Sequence, residues 1–289
     1  MQPKTLVGKN NYLFLQNDTS NELDIHCNGI CNISQNTFAK YTFENFYLVV
    51  FPDKSIMLKQ YLPDNMNAIH RPSIDIYNKH FNIKMFDAYD ILSKYHDIYY
   101  KTDTHINLKG NYIIYRNFIK RINHIYNIDL KIKEALLYYF TCSDLNKLNQ
   151  GIGDLTWERN LGDIILTNKC DNFYFSPDIK PFYLKYKILD NEFTFYNYNM
   201  VNITSSLLNT VIDWNIISNY IIYKKNDNMK YNVIIFYDSF LLNILSLYLE
   251  QFYEIYLIKS NYNNTIIDSI RKLMNIDYIF EFRVERFLK

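Results

Sequence analysis

Unbroken apolar runs, each closed by polar or turn-forming residues, divide this chain more clearly than any other feature. Phe46-Tyr47-Leu48-Val49-Val50-Phe51 is one such run, and Pro52 ends it. A run of this length fits a strand buried on both faces. Ile83-Lys84-Met85-Phe86-Asp87 reads as a second, weaker strand. From Leu108 to Tyr126 the apolar residues recur at helical spacing, which predicts a helix.

The C-terminal part is the most regular. Val233-Ile234-Ile235-Phe236 predicts a buried strand, and Ser239 follows it. Leu241, Leu242, Ile244, Leu245 and Leu249 then share one broad helical face. Ile255-Tyr256-Leu257-Ile258 predicts another strand, Thr265 to Met274 a helix, and Tyr278-Ile279-Phe280-Glu281-Phe282 a last strand. Strands alternating with helices imply parallel pairing through right-handed crossovers. The expected fold class is therefore α/β, an open and mainly parallel sheet flanked by helices. Its ligand crevice should lie at the carboxyl ends of the strands, where Ser239 falls. The polar stretch from Asn17 to Asn36 predicts loops or short strands. A single domain over residues 1–289 is expected, with an insertion at about 131–229 that includes the alternation at Phe193-Thr194-Phe195-Tyr196.

Composition narrows the function classes. The 289 residues carry a formal net charge of +1 with no Lys/Arg stripe, so no nucleic-acid footprint is present. No apolar run approaches the length of a membrane span, and the first residues lack the apolar core of a secretory signal. A soluble protein is expected, working inside the cell or as a domain of a larger protein. Tyr (28) and Phe (20) are abundant. Such a surface could stack on sugar rings, and AT-rich codon usage would give the same bias. The four cysteines are too few for a disulfide scaffold. His26-Cys27 with Cys31 resembles half a zinc site, but no second half follows, so they read as free thiols and no metal is expected. Cys142 and Cys170 read as small buried side chains.

Two segments offer chemistry. Ser239 lies on the turn between a strand and a helix, where free helical N–H groups can stabilise an oxyanion. It could equally cap the helix that begins near Phe240. Asp103 and His105 in Asp103-Thr104-His105 share one side of an extended segment. Asp103 could then accept from the imidazole Nδ1–H and leave Nε2 free to take a hydroxyl proton. A solvated histidine, with the aspartate capping the helix at Leu108, fits the same residues.

Several blocks together resemble the alginate O-acetyltransferase family, the SGNH-hydrolase-like enzymes that acetylate exopolysaccharides. They are Gly8-Lys9-Asn10-Asn11-Tyr12-Leu13-Phe14, Phe51-Pro52-Asp53-Lys54-Ser55 with Leu62-Pro63, Tyr100 to His105 with Gly110, Gly153-Asp154-Leu155, Phe236-Tyr237-Asp238-Ser239-Phe240, and Asn275 to Ile279 with Val284 to Leu288. The resemblance implies an SGNH-like sheet and a serine enzyme. Ser239 would be the nucleophile, His105 the general base and then acid, and Asp103 the orienting carboxylate. An acetyl group would pass through Ser239 to a carbohydrate hydroxyl. The donor would be acetyl-CoA or an acyl-carrying partner protein, with no bound cofactor. Tyr237, Asn261 and Tyr262 are further candidates for oxyanion or substrate contacts. Tyr237 replaces a family glycine and is expected to narrow the crevice or shift the oxyanion donors. Ile106 replaces a family tryptophan and removes an aromatic platform for sugar. Two alternatives stand beside the transferase: an SGNH-type carbohydrate acetylesterase and an inactive glycan-binding module.

Overall fold

The computed structural model describes residues 4–31, 33, 35–80, 84–132, 137–139, 155, 173–175, 185–188, 191–194, 221–249 and 251–288. Most of the expected insertion lies outside them, as do Ile83, Cys142, Cys170 and the Gly153-Asp154 pair. The strands in chain order are β1 (Thr5–Val7), β2 (Leu13–Leu15), β3 (Phe46–Phe51), β4 (Met85–Asp87), β5 (Leu137–Tyr139), β6 (Phe173–Phe175), β7 (Lys185–Ile188), β8 (Asn191–Thr194), β9 (Ile221–Lys225), β10 (Asn232–Tyr237), β11 (Glu254–Ile258) and β12 (Tyr278–Val284). The central sheet has the order β4-β3-β12-β10-β11-β9. All its pairings are parallel except that of β9 with β11. The remaining strands form antiparallel pairs: β1 with β2, β5 with β6, and β7 with β8. This is the open, mainly parallel α/β sheet that the apolar runs predict. Ile221–Lys225 falls within the stretch expected to be the insertion, yet it forms the antiparallel edge of the main sheet.

The helices among the described residues are α1 (Glu22–Asn28), α2 (Lys54–Met57), α3 (Pro72–Asn78), α4 (Tyr89–Leu92), α5 (Leu108–Tyr126), α6 (Leu245–Leu249) and α7 (Asn264–Arg271). A 3-10 turn over Ser239–Ile244 leads into α6, so the predicted helix after Ser239 begins more tightly wound than an α-helix. Strand alternation sorts the core into two layers. Tyr47, Val49, Phe51, Val233, Ile235, Phe280 and Phe282 pack beneath α5 and the Ser239–Leu249 segment. Phe46, Leu48, Val50, Ile234, Phe236 and Ile279 pack beneath α3 and α7. These strands are apolar on both faces, apart from the buried Glu281–Arg283 pair of β12, and the sheet is covered on both sides.

One expectation fails. The stretch Asn17–Asn36 holds α1, not loops or short strands alone. The buried face of α1 is Glu22, Leu23, Ile25 and His26, so half of it is ionisable. An apolar stripe at helical spacing is therefore missing. The helix ends where Gly29 takes a left-handed φ of 70° and donates its N–H back to the carbonyl of Ile25.

Helix α5 carries the longest buried stripe. Asn107 caps it by accepting the N–H of Gly110 at 3.0 Å, and Asn127 closes it at φ 51°. On its inner face Phe118 meets Phe280 and Phe282 edge-on, with centroids 5.1 Å away in both cases. Truncating this ring should leave a cavity that such a crowded layer cannot collapse. We expect Phe118→Ala to lower the free energy of unfolding by about 3–5 kcal/mol, read as a lower denaturant midpoint.

Candidate active site

The carboxyl ends of β3, β4, β10 and β12 carry polar residues: Asp53 follows β3, Asp87 ends β4, Asp238 and Ser239 follow β10, and Glu285 and Arg286 follow β12. These strands are largely apolar before this edge, β12 being the exception with Glu281 and Arg283 inside it, and the polar groups named here meet along one rim of the sheet.

Ser239 Oγ lies 2.8 Å from Nε2 of His105. Nδ1 of that imidazole lies 2.6 Å from Oδ1 of Asp103. With the proton on Nδ1 donated to Asp103, Nε2 accepts from the serine hydroxyl. The Asp103 carboxylate also accepts the backbone N–H of His105 at 2.9 Å, which fixes ring and carboxylate within one turn. Thr104 Oγ1 lies 3.3 Å from Nδ1. The imidazole leans on the ring of Phe240, centroid to centroid 4.7 Å. About a fifth of each side chain of the His105–Asp103 pair reaches solvent, so the pair is sheltered yet open to a ligand.

Ser239 is not the helix cap. Asp238 takes that role: its Oδ1 accepts the N–H of Phe240 at 2.9 Å, and its Oδ2 accepts the N–H of Val284 at 2.7 Å. Burial raises the Asp238 pKa, against the lowering effect of Arg283 and these backbone N–H groups. The serine hydroxyl is left to face the imidazole.

The structure places the other candidate residues as follows. The Tyr237 ring is fully buried in the layer beneath α5. Tyr262 packs on the opposite face against Tyr41, Phe46 and Phe236, and its N–H is taken by Glu281 Oε1 at 2.9 Å. Asn261 is exposed on the loop after β11. Neither Asn261 nor Tyr262 hydrogen-bonds Ser239. Ile106 is fully buried, so the position after His105 belongs to the core and presents no platform to solvent. A methyl added at Gly110 would stand 2.4 Å from Ile106 Cγ2 and 2.8 Å from the Ile98 carbonyl oxygen. Glycine there lets the first turn of α5 close against the segment that bears Asp103 and His105.

Around this site lies a buried ionic network dispersed along the chain. Asp53, without solvent exposure, accepts the Arg286 N–H on Oδ2 at 2.9 Å and the Arg286 guanidinium on Oδ1. Arg286 also reaches Glu22 at 3.2 Å. Arg71 bridges Asp87 and Glu285, each at 2.6 Å. His26 Nε2 lies 2.9 Å from Asp53 Oδ2, and its Nδ1 lies 2.8 Å from the His70 carbonyl. Both ring nitrogens thus face acceptors, so the buried imidazole carries two protons and a positive charge. Burial alone lowers its pKa, but the hydrogen bond and charge of Asp53, with Glu285, raise it to about 9. Burial acts on Glu285 in the opposite sense for its charge and raises it to about 7, although Arg71 opposes this. The sequence contains the members of this network, but their spacing carries no pattern; only the Asp53 and Glu285-Arg286 blocks stood out, as part of a resemblance. Cys27 and Cys31 are free thiols, and among the described residues no cluster of three or more His, Cys, Asp or Glu side chains is disposed to hold a metal. No helix among them is long and apolar enough to cross a membrane.

No protein-family model matches the sequence, and no curated protein matches it. Solved structures do match the fold. PatB1 of Bacillus cereus aligns over 99% of this chain and 97% of its own, with a TM-score of 0.60 and 15% identity. A DHHW family protein from Eubacterium siraeum aligns over 99% and 95%, with a TM-score of 0.58 and 19% identity. The O-acetyltransferase domain of Pseudomonas putida AlgJ aligns over 99% and 92%, with a TM-score of 0.49 and 11% identity. The likeness is one of fold.

Two outcomes test this description. Gly110→Ala should destabilise the protein by about 1–3 kcal/mol, since a backbone carbonyl cannot yield to the new methyl; an unchanged denaturant midpoint would contradict the packing. The second concerns pH. His26 holds its proton more tightly folded, at about 9, than the ordinary 6.5 of an imidazole. Its stabilising contribution is complete below pH 6.5 and disappears as pH rises through 9. Glu285, raised from 4.5 to about 7, loses its own contribution earlier. Stability should therefore fall as pH rises from about 4.5 to 9, the upper part through His26, and His26→Gln should flatten the fall between pH 6.5 and 9 in urea titrations.

Proposed function

We propose that this chain is a serine-dependent O-acetyltransferase that moves an acetyl group through Ser239 to a hydroxyl of a carbohydrate. The observation that carries the reading is the continuous hydrogen-bonded series Asp103–His105–Ser239. A hydroxyl is a weak nucleophile until a base accepts its proton, and that base needs a fixed tautomer. The sequence blocks that resemble the alginate O-acetyltransferases support the transferase over other serine chemistry. The fold shared with PatB1 is compatible with it.

In the first half-reaction His105 Nε2 takes the Ser239 proton as Oγ attacks the acetyl carbonyl of the donor. The tetrahedral oxyanion collapses, the donor's leaving group departs with the proton from Nε2, and acetyl-Ser239 remains. In the second, Nε2 takes the proton of the acceptor hydroxyl as its oxygen attacks the acetyl carbon. The ester forms on the sugar, and the proton returns to Ser239. Asp103 keeps Nδ1 protonated and stabilises the imidazolium of each step. The Ser239 backbone N–H, at the start of a helical turn, is the first oxyanion donor. An acetyl-CoA-type thioester or an acyl-carrying partner protein would supply the acetyl group.

The test is an activated acetyl ester offered with and without oligosaccharide, assayed for released leaving group and for acetylated sugar. Ser239→Ala and His105→Ala should each reduce the chemical step by about 10⁴-fold or more, because the three groups act as a unit. Ester turnover that no oligosaccharide diverts would make the protein an esterase. Absence of Ser239-dependent turnover, with no acetyl-serine in mass spectra, would refute the proposal.

A further inference from the structure

The segment that bears Asp103 and His105 is a bend outside the helices and strands. Tyr99 and Ile106 form an isolated antiparallel bridge, and inside it Tyr100 N–H reaches the His105 carbonyl only at 3.4 Å. The carbonyls of the intervening residues are held by groups from elsewhere. Leu155 donates to Thr102 at 3.2 Å, and Leu13 of β2 donates to Lys101 at 2.9 Å. An ammonium adds to this support. Lys54 Nζ donates to the Lys101 carbonyl at 2.8 Å and to the Asp103 carbonyl at 2.9 Å. Its side chain is only 1% exposed. It passes between Tyr12 and Phe14, whose ring centroids lie 5.8 and 5.5 Å from the charge.

We propose that Lys54 is a positioning residue for the reaction: its buried ammonium draws two carbonyls of the Lys101–Asp103 segment together and so aims the Asp103 carboxylate at His105. The inference rests on the serine chemistry proposed above. Lys54 follows Asp53, which is fixed by Arg286 and His26, so the ammonium projects from one of the most immobilised points of the molecule. A compact ammonium on an unbranched stem suits this place. It offers several donors at one point, where a planar guanidinium would need a wider slot. A carboxylate set adrift by even 1 Å would leave His105 in place but weaken its hold on the Nδ1 proton.

The test uses the full chain and reads two quantities. The first is the low-field proton resonance of His105 Nδ1–H, identified by its loss in His105→Gln. The second is kcat and KM for Ser239-dependent cleavage of an activated acetyl ester. In Lys54→Met, which keeps the stem and loses the donors, the resonance should move upfield or broaden away. Then kcat should fall by about 100-fold with KM changed less than threefold. Lys54→Gln, shorter and still polar, serves if the methionine variant does not fold. Folded variants that keep the wild-type resonance and kcat would overturn the proposal and leave Lys54 a purely structural residue. A wild-type protein without Ser239-dependent turnover, whose resonance still shifts in Lys54→Met, would remove the proposed function and leave the positioning role intact.

Discussion

A carboxylate cut off from water constrains this molecule more than any other group. Asp53 sits at the end of β3 with no solvent exposure. A buried charge of this kind is tolerable only when every oxygen is paired. Arg286 and His26 meet that need, and each is drawn in from a distant part of the chain. Arg286 brings the end of β12; His26 brings α1 and, through the His70 carbonyl, the segment before α3. These cations need further anions, which Glu22 provides directly and Glu285 from beside Arg71. Ion pairs therefore tie the rim of the sheet together, while its body is closed mainly by apolar burial, with the buried Glu281–Arg283 pair of β12 as an exception. Breaking one partner would leave a bare charge in a dry interior, so the network holds or fails together.

The hydrogen-bonded series Asp103–His105–Ser239 stands on this rim and is tied to it from two sides. Phe240, the ring beneath His105, is itself overlain by the Arg286 guanidinium at 5.3 Å. Asp238 joins the turn that carries Ser239 to Val284 at the end of β12. Lys54 joins the other half, Asp103 and His105, to the end of β3. Because β3 and β12 are neighbours in the sheet, both halves of the site are referred to adjoining strands. The separation of 134 positions between His105 and Ser239 is thus bridged by sheet pairing.

What could be read from the sequence follows from the physics of each element. Strands apolar on both faces announce themselves as unbroken runs, so β3, β10 and β11 were legible, and β12 was legible from its apolar residues on either side of Glu281. The association of Asp103 with His105 was legible too, although the segment is a bend closed by the His105 N–H on the Asp103 carboxylate and not the extended stretch expected. Helix α1 was hidden because Glu22 and His26 occupy its inward face and interrupt the apolar period. The ionic network was hidden for a related reason: its members depend on pairing across long separations, which leaves no local spacing to notice. Tyr237 and Ile106 drew attention as departures near the site, yet both side chains point into the core. Which face a residue at a strand end takes depends on register, and register is a property of the whole sheet.

Adjacent residues at the end of β10 divide two duties that a single side chain often combines. Asp238 begins the helical turn, and Ser239 contributes only a hydroxyl aimed at an imidazole. The architecture is consequently indifferent to that hydroxyl. Exchange of that hydroxyl for hydrogen, as in alanine, would leave both capping bonds of Asp238 in place, so the shape of this turn does not depend on the group proposed to react.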